Sequence, residues 1–430
     1  MKQLLPYVIP TVGWATATHA YRVMGAPIYS IFGLQSLHAI PLPWPATFRN
    51  LTLISRQSGH PTTALTLMKD AGATALAVTL PSTSDGPVKN TADEATFAAL
   101  DDCWWRFQLT AGPGHTFATC VEVESQGNIF GIGSSGGSAG VGPVAVGGAL
   151  GNGFWQPYTS SASSSRSICA VAGSITHLAA RTYATPPAIG AGWMALIRLN
   201  GVEQDGSGAT VDTRCFIVGD GATDRALATF DLPIVPGDIV EVVYYRTGAV
   251  HPNEPGGQVA VGVGFVPTVA GQYMLTGGSN TSLGTIAGLT TVWTFPDGSQ
   301  TSEESLSLAP IGPGGISIRG AYIEAQAPGS DPDDEVTWTL RRSGADTDVA
   351  IVLQQFTGSG LITGLSVPFA EDSTIGWRGL ETGGSSPNMA RLFWGLAAVT
   401  PADAPEPPGR GCIGPHQWIK FPRTRVEAST

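Results

Sequence analysis

The sequence predicts an all-β protein built from three tandem antiparallel β-sandwich modules, and three observations support this. Only 13% of the 430 residues are charged, whereas helical surfaces are normally rich in charge. Short segments alternate apolar and polar residues with a period of two, as half-buried strands do. Two sequence blocks recur three times in the same order, which indicates a repeated unit.

The first block is an alternating strand that ends in a tight turn, and it occurs at 65–72, 195–201 and 338–344. Each copy ends in glycine, which can supply the positive φ that hairpin turns require. A second alternating strand follows. Its buried face is predicted from Leu76, Val78 and Leu80 in the first copy and from Val349, Ile351 and Leu353 in the third. The second copy carries an insertion at 205–208.

The second block places an acidic turn before a β-rich run, at 100–105, 236–243 and 370–377. Aligning Asp102, Asp238 and Asp372 gives spacings of 238 − 102 = 136 and 372 − 238 = 134, so each module is about 135 residues long. Just before the first acidic turn, Thr91 and Glu94 resemble a helix capping box, but the repeat aligns 96–97 with 229–230 and favours a strand.

A closing strand follows each acidic turn, and its apolar residues again alternate. They are Val121 and Val123 in the first module, Val259, Val261, Val263 and Phe265 in the second, and Leu392, Trp394 and Leu396 in the third. Small or polar residues stand between them, which predicts one buried and one solvent-exposed face.

Boundaries follow from these blocks and from Gly, Ser and Pro-rich stretches. We expect modules at 46–125, 167–267 and 313–400, joined by linkers at 126–166 and 268–312. Residues 1–45 are expected to form an extended arm and 401–430 a tail. The first residues imitate a secretory signal, but Pro6 and Pro10 interrupt the apolar run.

Charge and hydropathy exclude some function classes. A net charge of −11 would repel a phosphate backbone, so nucleic-acid binding is not expected. No run of 18 apolar residues occurs, so no membrane-spanning helix is expected. A surface poor in charge suits a protein covered by partners or by copies of itself.

The five cysteines are Cys103, Cys120, Cys169, Cys215 and Cys412, and none has metal-site spacing. A hairpin of 104–109 with 116–121 would bring Cys103 and Cys120 face to face. Two reduced, buried thiols are the favoured interpretation, and a bond between them stays open. The seven histidines are scattered. We expect no metal and no cofactor.

Candidate catalytic groups have simpler structural explanations. Ser135 matches a nucleophile-elbow pattern but lies in Gly/Ser-rich sequence. The adjacent acids at 101–102, 333–334 and 371–372 suit turn capping better than glycoside hydrolysis, since neighbouring strand residues point to opposite faces. Acidic loops at 220–224 and 331–334 lack calcium-loop spacing. Trp155 and Tyr158 are weak candidates for glycan stacking, and core or interface packing is favoured for them.

The segment Thr339 to Thr347, the later acidic turn and the closing Trp394 to Leu396 strand resemble tandem jelly-roll domains of tailed-bacteriophage virion proteins, such as fibres, baseplate components and capsid decorations. The resemblance covers 46–400 in three copies. It implies a non-enzymatic structural component, assembled in the host cytoplasm, whose partners are copies of itself, in a trimer or another symmetric oligomer, other virion proteins and a host-surface glycan or receptor. The alternatives are a secreted or surface carbohydrate-binding protein and, less favoured, a polysaccharide hydrolase.

Overall fold

The structure, a computed structural model, describes residues 1–10, 18–22, 39–84, 86–109, 115–133, 146–149, 167–182, 191–218, 224–248, 259–279, 291–294, 300–301, 308–326, 335–354, 359–382 and 391–400. These residues form strands and turns and include no helix, so the all-β prediction is confirmed. Every strand pairing is antiparallel, and the strands form six sheets.

The first pair of sheets is built from nine strands: β1 (Lys2–Pro10), β2 (Thr18–Arg22), β3 (Ile40–Pro41), β4 (Ala46–Ser55), β5 (Thr63–Lys69), β6 (Gly72–Leu80), β7 (Val88–Phe97), β8 (Asp102–Leu109) and β9 (Thr116–Ser125). One sheet has the order β1-β9-β4-β7 and the other β2-β8-β5-β6, with β3 paired to β8. Apart from β3, strands pair first with last along a rolled ribbon, which is the jelly-roll arrangement of two packed sheets.

The second pair of sheets repeats this order. Its strands are β10 (Asn128–Gly133), β11 (Val146–Ala149), β12 (Ser167–Ile168), β13 (Gly173–Thr182), β14 (Ala191–Leu199), β15 (Val202–Glu203), β16 (Cys215–Ile217), β17 (Arg225–Ile234), β18 (Ile239–Gly248) and β19 (Val259–Pro267). The sheets are β10-β19-β13-β17 and β11-β18-β14-β15, with β12 on β18 and β16 on β14. The insertion expected after Asn200-Gly201 separates β15 from β16, which together replace β6.

The third pair repeats it again. Its strands are β20 (Gln272–Ser279), β21 (Thr291–Thr294), β22 (Gln300–Thr301), β23 (Ala309–Pro310), β24 (Ile316–Gln326), β25 (Glu335–Arg342), β26 (Ala345–Gln354), β27 (Ser359–Phe369), β28 (Thr374–Thr382) and β29 (Arg391–Val399). The sheets are β20-β29-β24-β27 and β22-β21-β28-β25-β26, with β23 on β28. We call the three sheet pairs modules 1, 2 and 3.

The predicted arm and linkers are not mere connections. Strands β1 to β3 fall in the predicted arm 1–45, β10 and β11 in the linker 126–166, and β20 to β23 in the linker 268–312. Each set completes the sheets of the module that follows in sequence. Composition concealed the strands of the two linkers, because glycine and serine-rich segments can pair through their backbone alone. The tail 401–430 lies outside the described residues.

The acidic turns are equivalent, but with a different alignment from the one predicted. In each turn a backbone N–H donates a hydrogen bond to the carbonyl oxygen three residues earlier. Asp101 N donates to Ala98 O at 3.3 Å, and Asp238 N donates to Val235 O at 3.1 Å. In the third turn the donor is the backbone N–H of Ser373, which donates to Ala370 O at 3.1 Å, and not that of Asp372. The spacings become 238 − 101 = 137 and 373 − 238 = 135. The sequence alignment superposed acidic residues, whereas the structurally equivalent positions are those that make the same turn hydrogen bond.

The hairpin turns also repeat in detail. A residue one or two positions before the turn glycine has positive φ in every module: Asp70 (50°), Asn200 (51°) and Ser343 (50°). Its side-chain oxygen accepts a hydrogen bond from the backbone N–H that follows the acidic turn. These pairs are Asp70 with Asp102 at 3.1 Å, Asn200 with Ile239 at 2.9 Å, and Ser343 with Thr374 at 3.2 Å. Gly72 has no positive φ, unlike Gly201 and Gly344.

The predicted strand between Thr91 and Glu94 is present as β7. The predicted Cys103–Cys120 hairpin is wrong: Cys103 lies on β8 in one sheet and Cys120 on β9 in the other, because the closing strand crosses to the opposite layer. Cys103, Cys120, Cys169 and Cys215 are free and buried. Cys412 lies outside the described residues.

Candidate functional site

The three modules contact one another in a ring, and a two-residue strand of each module makes the contact. Strand β3 packs on β10, β13 and β19 of module 2, β12 packs on β20, β24 and β29 of module 3, and β23 packs on β1 and β9 of module 1. Each module therefore packs the same element on the face of the same sheet of the next module, and the third junction closes the ring.

Small residues make these junctions possible. A Cβ atom built on Gly262 would overlap the carbonyl oxygen of Pro41, and one built on Gly395 would overlap that of Ile168. Glycine in a strand interior often marks such a close approach of another backbone.

At the junction of modules 3 and 1, the glycine lies on the inserted segment and the larger residue lies on the closing strand. Here Cys120 occupies the strand position equivalent to Gly262 and Gly395, and Gly312 occupies the inserted position that Pro43 and Ala170 hold in the other junctions. A Cβ built on Gly312 would lie 3.1 Å from the Cys120 Sγ, a tight contact. One small residue per junction thus suffices for the approach.

Because of these contacts the closing strands are buried on both faces. The outward residues of β9 include Cys120 and Glu122, which are 0% and 6% exposed, and all residues of β19 from Val259 to Phe265 are buried. The prediction of one solvent-exposed face is therefore wrong for these strands. The apolar faces predicted for the second alternating strands are confirmed: Leu76, Val78, Leu80, Val349, Ile351 and Leu353 are all buried.

Charged groups join module 1 to module 2. Asp102 is 2% exposed and accepts hydrogen bonds from Arg181 and, at 3.1 Å, from Arg225, both in module 2. Burial raises the pKa of Asp102, and the positive charges of Arg181 and Arg225 offset only part of that effect. Arg225 also donates to the carbonyl oxygen of Leu100 in the acidic turn.

Charged groups also join module 3 to module 1, with the acids again in the turn. Lys89 of module 1 donates to Glu371 at 2.6 Å and to Asp372 at 2.8 Å. Burial lowers the pKa of Lys89, but its hydrogen bonds to both acids and their charges more than offset this, so the pKa is raised. At the junction of modules 2 and 3, the equivalent turn presents Gly237, whose built Cβ would lie 3.4 Å from the Tyr322 ring.

Three polar side chains occupy equivalent positions on the first strand of each module: Gln3, Asn128 and Tyr273, all 0% exposed. Gln3 Oε1 accepts a hydrogen bond from Ile129 N at 3.3 Å, which links module 1 to module 2. The Tyr273 hydroxyl lies near the backbone of Leu4 in module 1 but has no hydrogen-bond partner, and burial raises its pKa. Asn128 is one methylene shorter than Gln3, and its Nδ2 and Oδ1 have no hydrogen-bond partner.

The sequence-derived candidate residues fall in two groups. Asp101 caps its own turn by accepting from Ala98 N at 2.6 Å, and Asp102, Glu371 and Asp372 take part in the junctions. Trp155, Tyr158, Ser135 and the acids at 333–334 lie outside the described residues. Among the residues that are described, no group of three or more His, Cys, Asp and Glu side chains could hold a metal ion.

The elements that the sequence interpretation missed are the inserted segments 40–44, 168–171 and 310–313. Their signal was present, since each is a short apolar stretch just before a strand, and two of the three contain prolines. Nothing in a single segment reveals that it packs on another module. In the described part of the chain, no helix has the length and apolar character needed to cross a membrane.

No protein-family model matches the chain, and no curated protein matches it. A chain from the atomic structure of Sulfolobus Turreted Icosahedral Virus is similar at 13% identity over 89% of this chain and 89% of that chain, with a TM-score of 0.17. A TM-score this low supports no conclusion about fold or function.

Proposed function

We propose that this protein is a non-enzymatic structural component of a tailed-bacteriophage particle, as a fibre, baseplate or capsid-decoration protein. The observation that supports it is the closed ring of three jelly-roll modules, in which each module packs the equivalent short strand on the next. Jelly rolls serve as building blocks of viral capsids, and also occur in lectins. A ring that buries its own connecting surfaces is suited to a rigid scaffold.

The polar groups of the junctions support a structural rather than a catalytic role. Asp102 contacts two arginines, Lys89 contacts two acids, and the remaining turn acids cap backbone N–H groups. Each of these groups has a structural partner. No step of acid–base catalysis is needed to explain why they are charged.

The ring also refines the expected oligomer. The sequence suggested a trimer built through module faces, but here three modules of one chain already cover those faces. We propose that one chain takes the place that a trimer of single modules would occupy, and that other virion proteins and further copies bind its outer surfaces.

Two measurements test this proposal. Light scattering of the purified full-length chain is expected to give a compact particle in which one chain forms one ring. Electron microscopy of virus particles from the source culture, labelled with antibodies against the chain, is expected to show label at regular positions. Unlabelled particles, together with turnover of a polysaccharide substrate by the purified chain, would contradict it.

A carbohydrate-binding function remains the alternative prediction from sequence. Its candidates, Trp155 and Tyr158, lie outside the described residues. Binding to a glycan array that is lost in Trp155→Ala would favour this function, and binding that persists in the variant would point to another surface.

A further inference from the structure

Exposed large apolar side chains are concentrated in one part of the described chain, in or directly after module 2. They are Val202, Phe216, Val218, Leu227, Val235 and Val269. Phe216 and Val218, which are 46% and 62% exposed, lie in and directly after the edge strand β16. Phe216 pairs across the sheet with the half-buried Met194 of β14. We call Phe216, Val218 and Met194 the edge patch.

The internal repeat shows that the fold does not require the edge patch. The position of Phe216, defined by its partner on the first hairpin strand, is held by Thr79 in module 1 and by Val352 in module 3. Thr79 is exposed and polar, and Val352 is half-buried. An aromatic ring exposed where threonine suffices indicates an interaction surface.

Strand β16 also forms an open sheet edge. In the described part of the chain it pairs with β14, and no strand pairs with its other side. An open edge with exposed apolar side chains invites unwanted pairing, so proteins normally cover it. An extended segment that adds a strand to the edge covers both the backbone groups and the apolar side chains.

The sequence around the edge patch is acidic. Residues 203–231 contain six acidic and two basic residues, a net charge of −4. The guanidinium carbon of Arg214 lies 5.8 Å from the Phe216 ring centroid, but its charge is paired with Asp212 at 2.7 Å. A segment that covers this surface is therefore expected to combine basic and apolar residues.

The C-terminal tail 401–430 has this chemistry. Residues 410–425 contain four basic residues and no acidic one, and they include the apolar Trp418, Ile419 and Phe421. The 17 residues from 401 to 417 can span up to about 56 Å. The route from the end of β29 over β12, along β18 and across β14 to Phe216 is about 55 Å long, and the straight line is shorter.

We propose that segment 418–421 of the tail adds a strand to the open edge of β16 in its own chain and covers the edge patch. Its alternate side chains lie beside Phe216 and Val218, and its basic residues lie among the acidic residues of module 2. The tether gives this segment a higher effective concentration than the tail of another copy. This contact does not depend on the function proposed above.

The test measures how fast trypsin cleaves the full-length chain after Lys420, with the products identified by mass spectrometry. A synthetic peptide of residues 409–430 gives the unprotected rate. We expect cleavage after Lys420 to be at least ~10-fold slower in the chain than in the peptide, because the segment must leave the edge before it is cut. Cleavage after Arg410, which precedes the docked segment, should be nearly as fast in both.

Three variants locate the contact. Phe216→Thr introduces the residue that module 1 has at this position, so it should abolish the protection of Lys420 and leave Tm nearly unchanged. Leu227→Thr is the matched control, because Leu227 is exposed and apolar but lies on the other sheet of module 2, and it should keep the protection. Trp418→Ser leaves the three modules unaltered and should also lose the protection, relative to a peptide with the same substitution.

Four results would overturn the proposal. The first is cleavage after Lys420 as fast in the chain as in the peptide. The second is protection that survives Phe216→Thr or Trp418→Ser, and the third is loss of protection in Leu227→Thr. The fourth is protection that rises with protein concentration, which would mean that the tail binds another copy.

Discussion

Gly262 of module 2 lies directly against the backbone carbonyl of Pro41 in module 1, and a single added carbon atom would overlap that oxygen. The Pro43 ring is also close, at 3.1 Å from the position of such a carbon. The same relationship holds between Gly395 and Ile168 at the next junction. Close approach of modules thus depends on the absence of a side chain at particular strand positions.

Gly262→Ala is therefore expected to destabilise the protein by roughly 3 kcal/mol, at the upper end of overpacking effects, because neither backbone can move without disturbing its sheet. The free energy of unfolding from urea denaturation checks this. Gly72→Ala is the control: its Cβ would meet only Lys69 O, at an ordinary 3.5 Å, and should change stability far less. Equal effects of the two substitutions would show that the junction tolerates a side chain.

Asp102→Ala is expected to destabilise the protein by roughly 3–5 kcal/mol, because it leaves the mostly buried Arg181 with only its longer contact to Asp224, at 3.8 Å. Denaturant unfolding measures the loss. Asp212→Ala, which breaks the exposed pair with Arg214, should cost less than about 1 kcal/mol. If both variants lost the same stability, the junction pair would be no stronger than a surface pair.

Gln3→Asn shortens the side chain by one methylene and reproduces the situation of Asn128. The hydrogen bond to Ile129 N is lost and a buried amide remains unpaired, so we expect a loss of about 1–3 kcal/mol. The same substitution at the partly exposed Gln272, one residue before Tyr273, is the control and should be nearly neutral. An unchanged unfolding midpoint for Gln3→Asn would mean that this link contributes no stability.

His177 is expected to make stability depend on pH. Its ring packs on Trp44 across the first junction, with the two ring centroids 5.1 Å apart, and burial there lowers the pKa of His177 below 6.5. The unfolded state therefore binds the proton more readily. The contribution of His177 is fully present above pH 6.5 and is lost as the pH falls through its folded pKa.

His177→Gln is expected to flatten the part of the stability profile just below pH 6.5, as measured by Tm against pH. The exposed fraction of the ring limits the size of the effect. A native profile that kept its slope in the variant would assign the pH dependence to other groups.

The four described cysteines are expected to be inert in the folded state. Burial raises the pKa of Cys120 and of Cys215 to about 12, and it raises the pKa values of Cys103 and Cys169 as well. At pH 8 a thiol of pKa 12 is thiolate in only about one molecule in 10,000. The folded Cys412→Ser variant should therefore not react with a thiol reagent. After denaturation it should consume four equivalents of the reagent, one for each remaining cysteine. Fast native labelling would contradict the buried positions.

The sequence by itself determined the class of fold, the number of repeats and the buried faces of single strands. Period-two patterns such as Leu76, Val78 and Leu80 depend only on which face of one strand is apolar, so they can be recognised locally. The repeat identified the turns, although its alignment was off by one residue in modules 1 and 3, where Asp101 and Ser373 take the places assigned to Asp102 and Asp372.

Only the tertiary structure decided where the inserted segments pack, which sheets the arm and linkers complete, and that the closing strands are buried on both sides. Gly262, Gly395 and Cys120 become meaningful only beside Pro41, Ile168 and Gly312, far away in sequence. Burial and partnership are properties of contacts between distant residues, and no local pattern encodes them.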